Sequence, residues 1–118
     1  MVATSRDAKY GRTTQRDVRV MGITENYSRI GSVRDLIAGR HLVGDDVDAA
    51  RPVAVIGADV MDAFFGQTEP LGKEILIDNR PFRVVGVAER KGSVFGESQD
   101  NFVWIPITYF RKVYGTRK

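Results

Sequence analysis

The 118 residues contain no cysteine, which excludes a disulfide framework, a thiolate nucleophile and cysteine-ligated zinc. There is one histidine, His41, a thin basis for a nucleophile–base relay, which needs a base held against its nucleophile. Long apolar runs are also missing. No stretch approaches the roughly 18–20 residues that a membrane-crossing helix requires, and the opening "MVATSRDAKYGRTTQRD" holds no apolar core of signal-peptide length. If the chain is part of a membrane or secreted protein, its targeting and anchoring parts are expected elsewhere. A large excess of one charge is lacking too, since 18 Lys and Arg face 15 Asp and Glu, for a net +3. The basic doublets Arg90-Lys91, Arg111-Lys112 and Arg117-Lys118 are scattered. They read as solvated surface and fall short of the dense basic stripe of a nucleic-acid binder.

What is present fits one globular domain, 42% apolar and 28% charged. Residues 1–16 are polar without period and are expected to form a flexible or partly paired N-terminal arm, with a single domain over 17–118. "RDVRVMGIT" alternates, placing Val18, Val20 and Gly22 on one face, and reads as a strand. Thr24 can cap a short helix over 25–32. Residues 33–51 read as a bent, irregular link with a helical turn near 46–50. "PVAVIG" is a strand covered on both faces, because Val53 to Ile56 are continuously apolar. "ADVMDAFFG" has a helical stripe of Val60, Met61, Phe64 and Phe65, stopped at Gly66. "KEILID" and "RPFRVVGVAE" flank Asp78-Asn79, a hairpin signal. "NFVWIPI" is a further strand, and "TYFRKVYG" a terminal helix. The pattern predicts an α+β fold: a small mixed, mainly antiparallel sheet with two or three short helices packed on one side.

The most suggestive motif is "GVAERKGSVFG", Gly86 to Gly96. It approaches the phosphate-binding pattern G-x-x-x-x-G-K-[ST], but Lys91 precedes Gly92 instead of following it. "GSVFGESQDN" is also a poor helix where that motif requires one to open. Gly86 lies within a strand pattern and is expected to mark a bulge or a close backbone approach. The remaining loop carries Val94 and Phe95 near its tip. These apolar residues either fold back on the core or meet a partner, so Ser93, Val94, Phe95 and Gly96 are the candidate contact. Asp45, Asp46 and Asp48 lack the twelve-residue calcium-loop pattern and read as a solvated acidic turn. Phe102 and Trp104 share one face of a strand, which suits either a base-stacking platform or a core. Apolar Val103 and Ile105 opposite them favour core. A basic β-rich nucleic-acid-binding domain is therefore the alternative reading, and a small hydrolase has only scattered acids and Ser93 behind it. No catalytic, metal or cofactor site emerges.

Several segments in order resemble one family. "VMGITENY" is similar to the "V-x-G-V-T-x-x-Y" entry of the extracytoplasmic domain of MacB-type ABC transporter permeases. It is followed by "AGR", "RPVAVIGADVMDAFFG", "PLGKEILIDNRPFRVVGVAERKGSVFG" and "DNFVWIPIT", over about Lys9 to Tyr114. The chain departs from the pattern at Ser28, where an aromatic is usual, and near His41-Leu42, where a Phe is usual. The resemblance implies the central, inserted portion of an extracytoplasmic domain that contacts substrate or a partner protein, transmits conformational change during export and has no chemistry of its own. It implies as partners the membrane helices of the same permease, a cytoplasmic ABC ATPase, and a periplasmic adaptor protein or second permease subunit. No cofactor and no nucleic acid are implied.

Overall fold

Alternating burial along β1 (Val2–Tyr10) shows how the sheet begins. The computed structural model describes residues 2–29 and 35–115. In it β1 forms an antiparallel hairpin with β2 (Thr13–Ile23). Then follow α1 (Glu25–Arg29), β3 (Leu36–Gly39), α2 (Gly44–Asp48), β4 (Val53–Ile56), α3 (Ala58–Phe64), β5 (Glu74–Ile77) and β6 (Arg80–Ala88). The chain ends with β7 (Ser93–Val94), β8 (Glu97–Ser98), β9 (Phe102–Pro106) and α4 (Ile107–Tyr114). Residues 2–16, expected as a flexible or partly paired arm, are thus paired as a hairpin. Their inward positions include Thr4 and Arg6 beside Val2, Ala8 and Tyr10, and these polar residues hide the period of two. Arg6 is satisfied by Asp78, with Nε 2.8 Å from its carboxylate, and by the Thr4 hydroxyl.

The seven-stranded sheet runs β3-β6-β4-β9-β2-β1-β5, and β5 pairs again with β6. That last pairing closes a ring of six strands. The sheet is mixed, since β2–β9 and β4–β6 are parallel while the other neighbours are antiparallel. Closure separates two faces. Inside lie Val18, Val20, Ala54, Ile56, Ile75, Phe82, Val84, Val103 and Ile105, joined by Val60 and Phe65 of the α3 region and by Phe110 of α4. Outside, Ile23, Val53, Val55, Ala88, Phe102 and Trp104 form a second buried cluster with Leu42, against which Tyr27 of α1 packs. Phe102 and Trp104 are 5% and 3% exposed, so they are core and offer no stacking platform. The helices do not all lie on one side. α3 and α4 feed the inner cluster while α1 covers the outer one, because both faces of β9 and β4 are apolar and each needs a cover.

Local rules place the elements. α4 buries Ile107 and Phe110, three apart on one face. The β5–β6 turn has left-handed Asp78 and Asn79 (φ 52° and 63°), the pair that a tight hairpin requires. The described part of the link, residues 35–51, is more ordered than its composition suggests. Leu36–Gly39 is a strand on the edge of β6, and the expected continuation of α1 to residue 32 lies outside the described residues. Tyr114 helps tie the ends of the ring together. Its hydroxyl donates to Asp78 at 2.8 Å, and the Arg6 guanidinium stands 4.9 Å from its ring centre. Burial, then the Asp78 carboxylate, pushes the phenol up to about 12.

Gly86 marks both a bulge and a close approach. The β4–β6 register slips between Ala54 and Val55, and a Cβ on Gly86 would lie 2.4 Å from the Arg40 carbonyl oxygen. Gly86→Ala is therefore expected to cost about 1–3 kcal/mol through overpacking. The measurement is urea unfolding, with a lower midpoint at unchanged slope.

Candidate functional site

The candidate contact residues fall on one small hairpin. β7 pairs with β8 through Ser93–Ser98 and Val94–Glu97, and Phe95 and Gly96 make the turn with φ of 53° and 82°. Both values are positive, as a two-residue hairpin turn demands. An aromatic in this region is strained, since the left-handed backbone crowds a Cβ. Phe95 does not fold back on the core. It is 102% exposed, and Val94 is 44% exposed.

The base of the hairpin is clamped. Asp100, 1% exposed, accepts the Lys91 N–H on one carboxylate oxygen and the Gly92 N–H on the other, both at 2.8 Å. These are the backbone donors that a phosphate would need at Lys91-Gly92-Ser93, and the protein's own carboxylate already occupies them. The Ser98 hydroxyl accepts the Asp100 N–H at 3.0 Å and donates to Asp59. The Asp100 carbonyl receives the Asp59 N–H at 3.1 Å. Arg90 pairs with Asp62 and with Asp59, and the Asp62 hydrogen bond chiefly holds its guanidinium even more firmly charged. The hairpin is thereby bolted to the first turns of α3. Sequence reasoning found the tip and missed the clamp. The signal was an Asp before a buried strand, eight residues after a Gly, which has no meaning until the chain doubles back.

A cleft of about 720 Å³ lies between the hairpin and the outer face of β2, with Arg19, Met21, Tyr27, Gln99 and Trp104 among its walls. Asn101 shapes its floor by bridging strands. Its amide donates to the Arg16 and Asp17 carbonyls and its oxygen accepts from Gln15.

The acidic turn needs correction. Asp45 and Asp48 are exposed, but Asp46 is fully buried. Its carboxylate accepts the Val43 N–H at 3.0 Å and pairs with Arg40 at 2.8 Å and Arg51 at 3.5 Å. An acid three residues past a helix cap can reach back to the cap N–H, so Val43 to Asp46 was the available clue. Burial alone would raise the Asp46 pKa. The Arg40 and Val43 hydrogen bonds and the two arginine charges outweigh it, and the net shift is downward. With the folded pKa below the unfolded value of about 3.9, this contribution is complete above that value and is lost as pH falls through the folded pKa. Asp46→Asn is expected to cost about 1–3 kcal/mol at neutral pH. It should also flatten the fall in stability below about pH 4, read from unfolding midpoints across pH. Asp100→Ala should cost about 1–2 kcal/mol and speed amide exchange at Lys91 and Gly92 by more than it speeds exchange in the inner strands.

Comparison with known proteins places this geometry. The family model described as the MacB-like periplasmic core domain matches residues 1–118. The chain is 43% identical over 81 residues to the pyoverdine export ATP-binding/permease protein PvdT of Pseudomonas aeruginosa, covering 67% of this chain and 12% of that protein. It is 45% identical over 75 residues to the macrolide export ATP-binding/permease protein MacB of Rhodospirillum rubrum, covering 61% and 12%. Its fold matches the periplasmic region of MacB from Actinobacillus actinomycetemcomitans with a TM-score of 0.79 at 28% identity, over 93% of this chain and 47% of that one. The chain thus spans about half of that periplasmic region and a small part of the two curated relatives. A bulged closed sheet, a clamped hairpin and the ordered motifs all fall within this match, and the chain belongs to the MacB-like periplasmic core domain family, the extracytoplasmic part of ABC transporter permeases.

Proposed function

We propose that this domain works as a passive lever in export: it contacts a partner protein through Ser93, Val94, Phe95 and Gly96 and passes on conformational change driven by ATP hydrolysis elsewhere. The partner is a periplasmic adaptor protein or a second permease subunit. The membrane helices of the same permease and a cytoplasmic ABC ATPase complete the machine, and the domain performs no chemistry and holds no cofactor. The observation that carries this reading is the fully exposed Phe95 on a base clamped by buried Asp100. A preordered backbone at the tip lowers the entropy lost on docking, which is what a binding hot spot needs. Glu97 beside the tip disfavours an anionic membrane surface as the target. Coupling then requires only that the partner contact differ between two states of the transporter.

Two variants in the parent permease test this. Phe95→Asp should reduce export at least about tenfold while the melting temperature moves by no more than about 2 °C, as for an ordinary surface change. Phe95→Gly suits the left-handed backbone and should stabilise the domain by about 1 kcal/mol, yet lose export to the same degree. Full export by either variant would refute the contact.

A further inference from the structure

A second cleft, of about 420 Å³, opens where the links flanking α2 meet β5 and β6, and it gathers Arg40, Arg51 and Arg83 with Asp46 and Glu74. Its donors outnumber its acceptors. Each guanidinium carries five N–H groups in a fixed fork. Asp46 has both oxygens engaged by Val43, Arg40 and Arg51, so it can take on little more. Arg40 also donates to the His41 carbonyl, but the Arg40 and Arg51 side chains line the cleft at 46% and 49% exposure and keep N–H groups with no partner among the described residues. Arg83 is exposed and has no ion-pair partner among the described residues. Securing Asp46 explains Arg40, and it explains Arg51 only weakly at 3.5 Å. It gives Arg83 no role. The buried carboxylate instead holds two like charges side by side, at the mouth of a wall formed by Pro52, Val53 and Val85.

We propose that this cleft binds a phosphate-type oxyanion, bridged by Arg51 and Arg83 with Arg40 as the fixed third charge. Arginine forks match the oxygens of a tetrahedral anion bidentately, and a phosphate offers more acceptor oxygens than a carboxylate for three donors. Glu74, opposite Arg83 across the β5–β6 ladder, is the competing carboxylate at the rim. The phosphate is either free or the headgroup of an anionic lipid. The inference stands apart from the Phe95 contact and does not depend on it.

The test is titration of the chain with inorganic phosphate at constant ionic strength, followed by backbone amide shifts, with chloride as the control. Saturable shifts at Arg51, Val53, Arg83 and Val85 are expected. The double variant Arg51→Gln, Arg83→Gln should weaken binding at least about tenfold, each lost charged hydrogen bond being worth roughly that factor, while its melting curve shows it folded. Glu74→Gln should tighten binding several-fold, an effect that a purely structural arginine cluster would not produce. Phosphatidylcholine vesicles with and without phosphatidic acid separate the sources. Capture by the acidic vesicles, reversed by phosphate, assigns the lipid headgroup, whereas saturation by phosphate without capture assigns a soluble ligand. Linear shifts that chloride reproduces, or equal affinity in the arginine variant, overturn the proposal.

Discussion

A nine-residue strand that must pair with three neighbours is the constraint on which this structure depends. Along β6, Arg80 to Arg83 pair with β5, Arg83 to Val87 with β4, and Gly86 to Ala88 with β3. The first two pairings close the ring; the third extends the sheet over the outer cluster. One edge therefore serves β5 and then β3, and the strand has to bend between them. The bulge beside Gly86 supplies that bend, and the absent Cβ lets the Arg40 backbone approach. Elsewhere closure is thin, because β1 meets β5 at only Ala8–Ile77 and Lys9–Leu76. The Arg6–Asp78–Tyr114 contacts lie at that seam.

This architecture bears on function through rigidity. The inner cluster holds α3 against the ring, and α3 in turn holds the hairpin through Asp59, Asp62 and the Asp100 carbonyl. In the proposed contact, a displacement at Phe95 would pass through the hydrogen bonds and packed side chains that tie the hairpin base to the sheet. Close-packed interiors transmit strain because they have few voids to absorb it. The strained backbone at Phe95 fits the same picture, since such strain persists only where the surroundings over-determine it.

Much of this was legible in the residues. The continuous apolar run Val53 to Ile56, the Phe102–Ile105 alternation with both faces apolar, and the Asp78-Asn79 turn each report a local physical requirement, and each element stands where it was read. The N-terminal strand was not legible, because Thr4 and Arg6 face inward and their partners lie far along the chain. Asp46 was misread for a related reason: one acid in a run of three is drawn inward by Arg40 and Arg51, and nothing in the run itself distinguishes it. The decoy at Lys91-Gly92-Ser93 already fails on residue order and on the missing helix. The structure adds the physical ground, a carboxylate already seated on the donors.

Periodicity, turn chemistry and the order of motifs determined which segments are strands and helices, and to which family they belong, because those signals depend on neighbours a few residues apart. Closure of the sheet, the two-sided placement of the helices, the clamp at Asp100 and the arginine cleft depend on residues that meet only when distant segments pack. Asp100 grips Lys91 only after the hairpin folds back, and Arg83 joins Arg40 and Arg51 only after β6 has found β4 and β3. Pairings of that kind are set by the burial of the whole core, a sum over the chain that no short window contains.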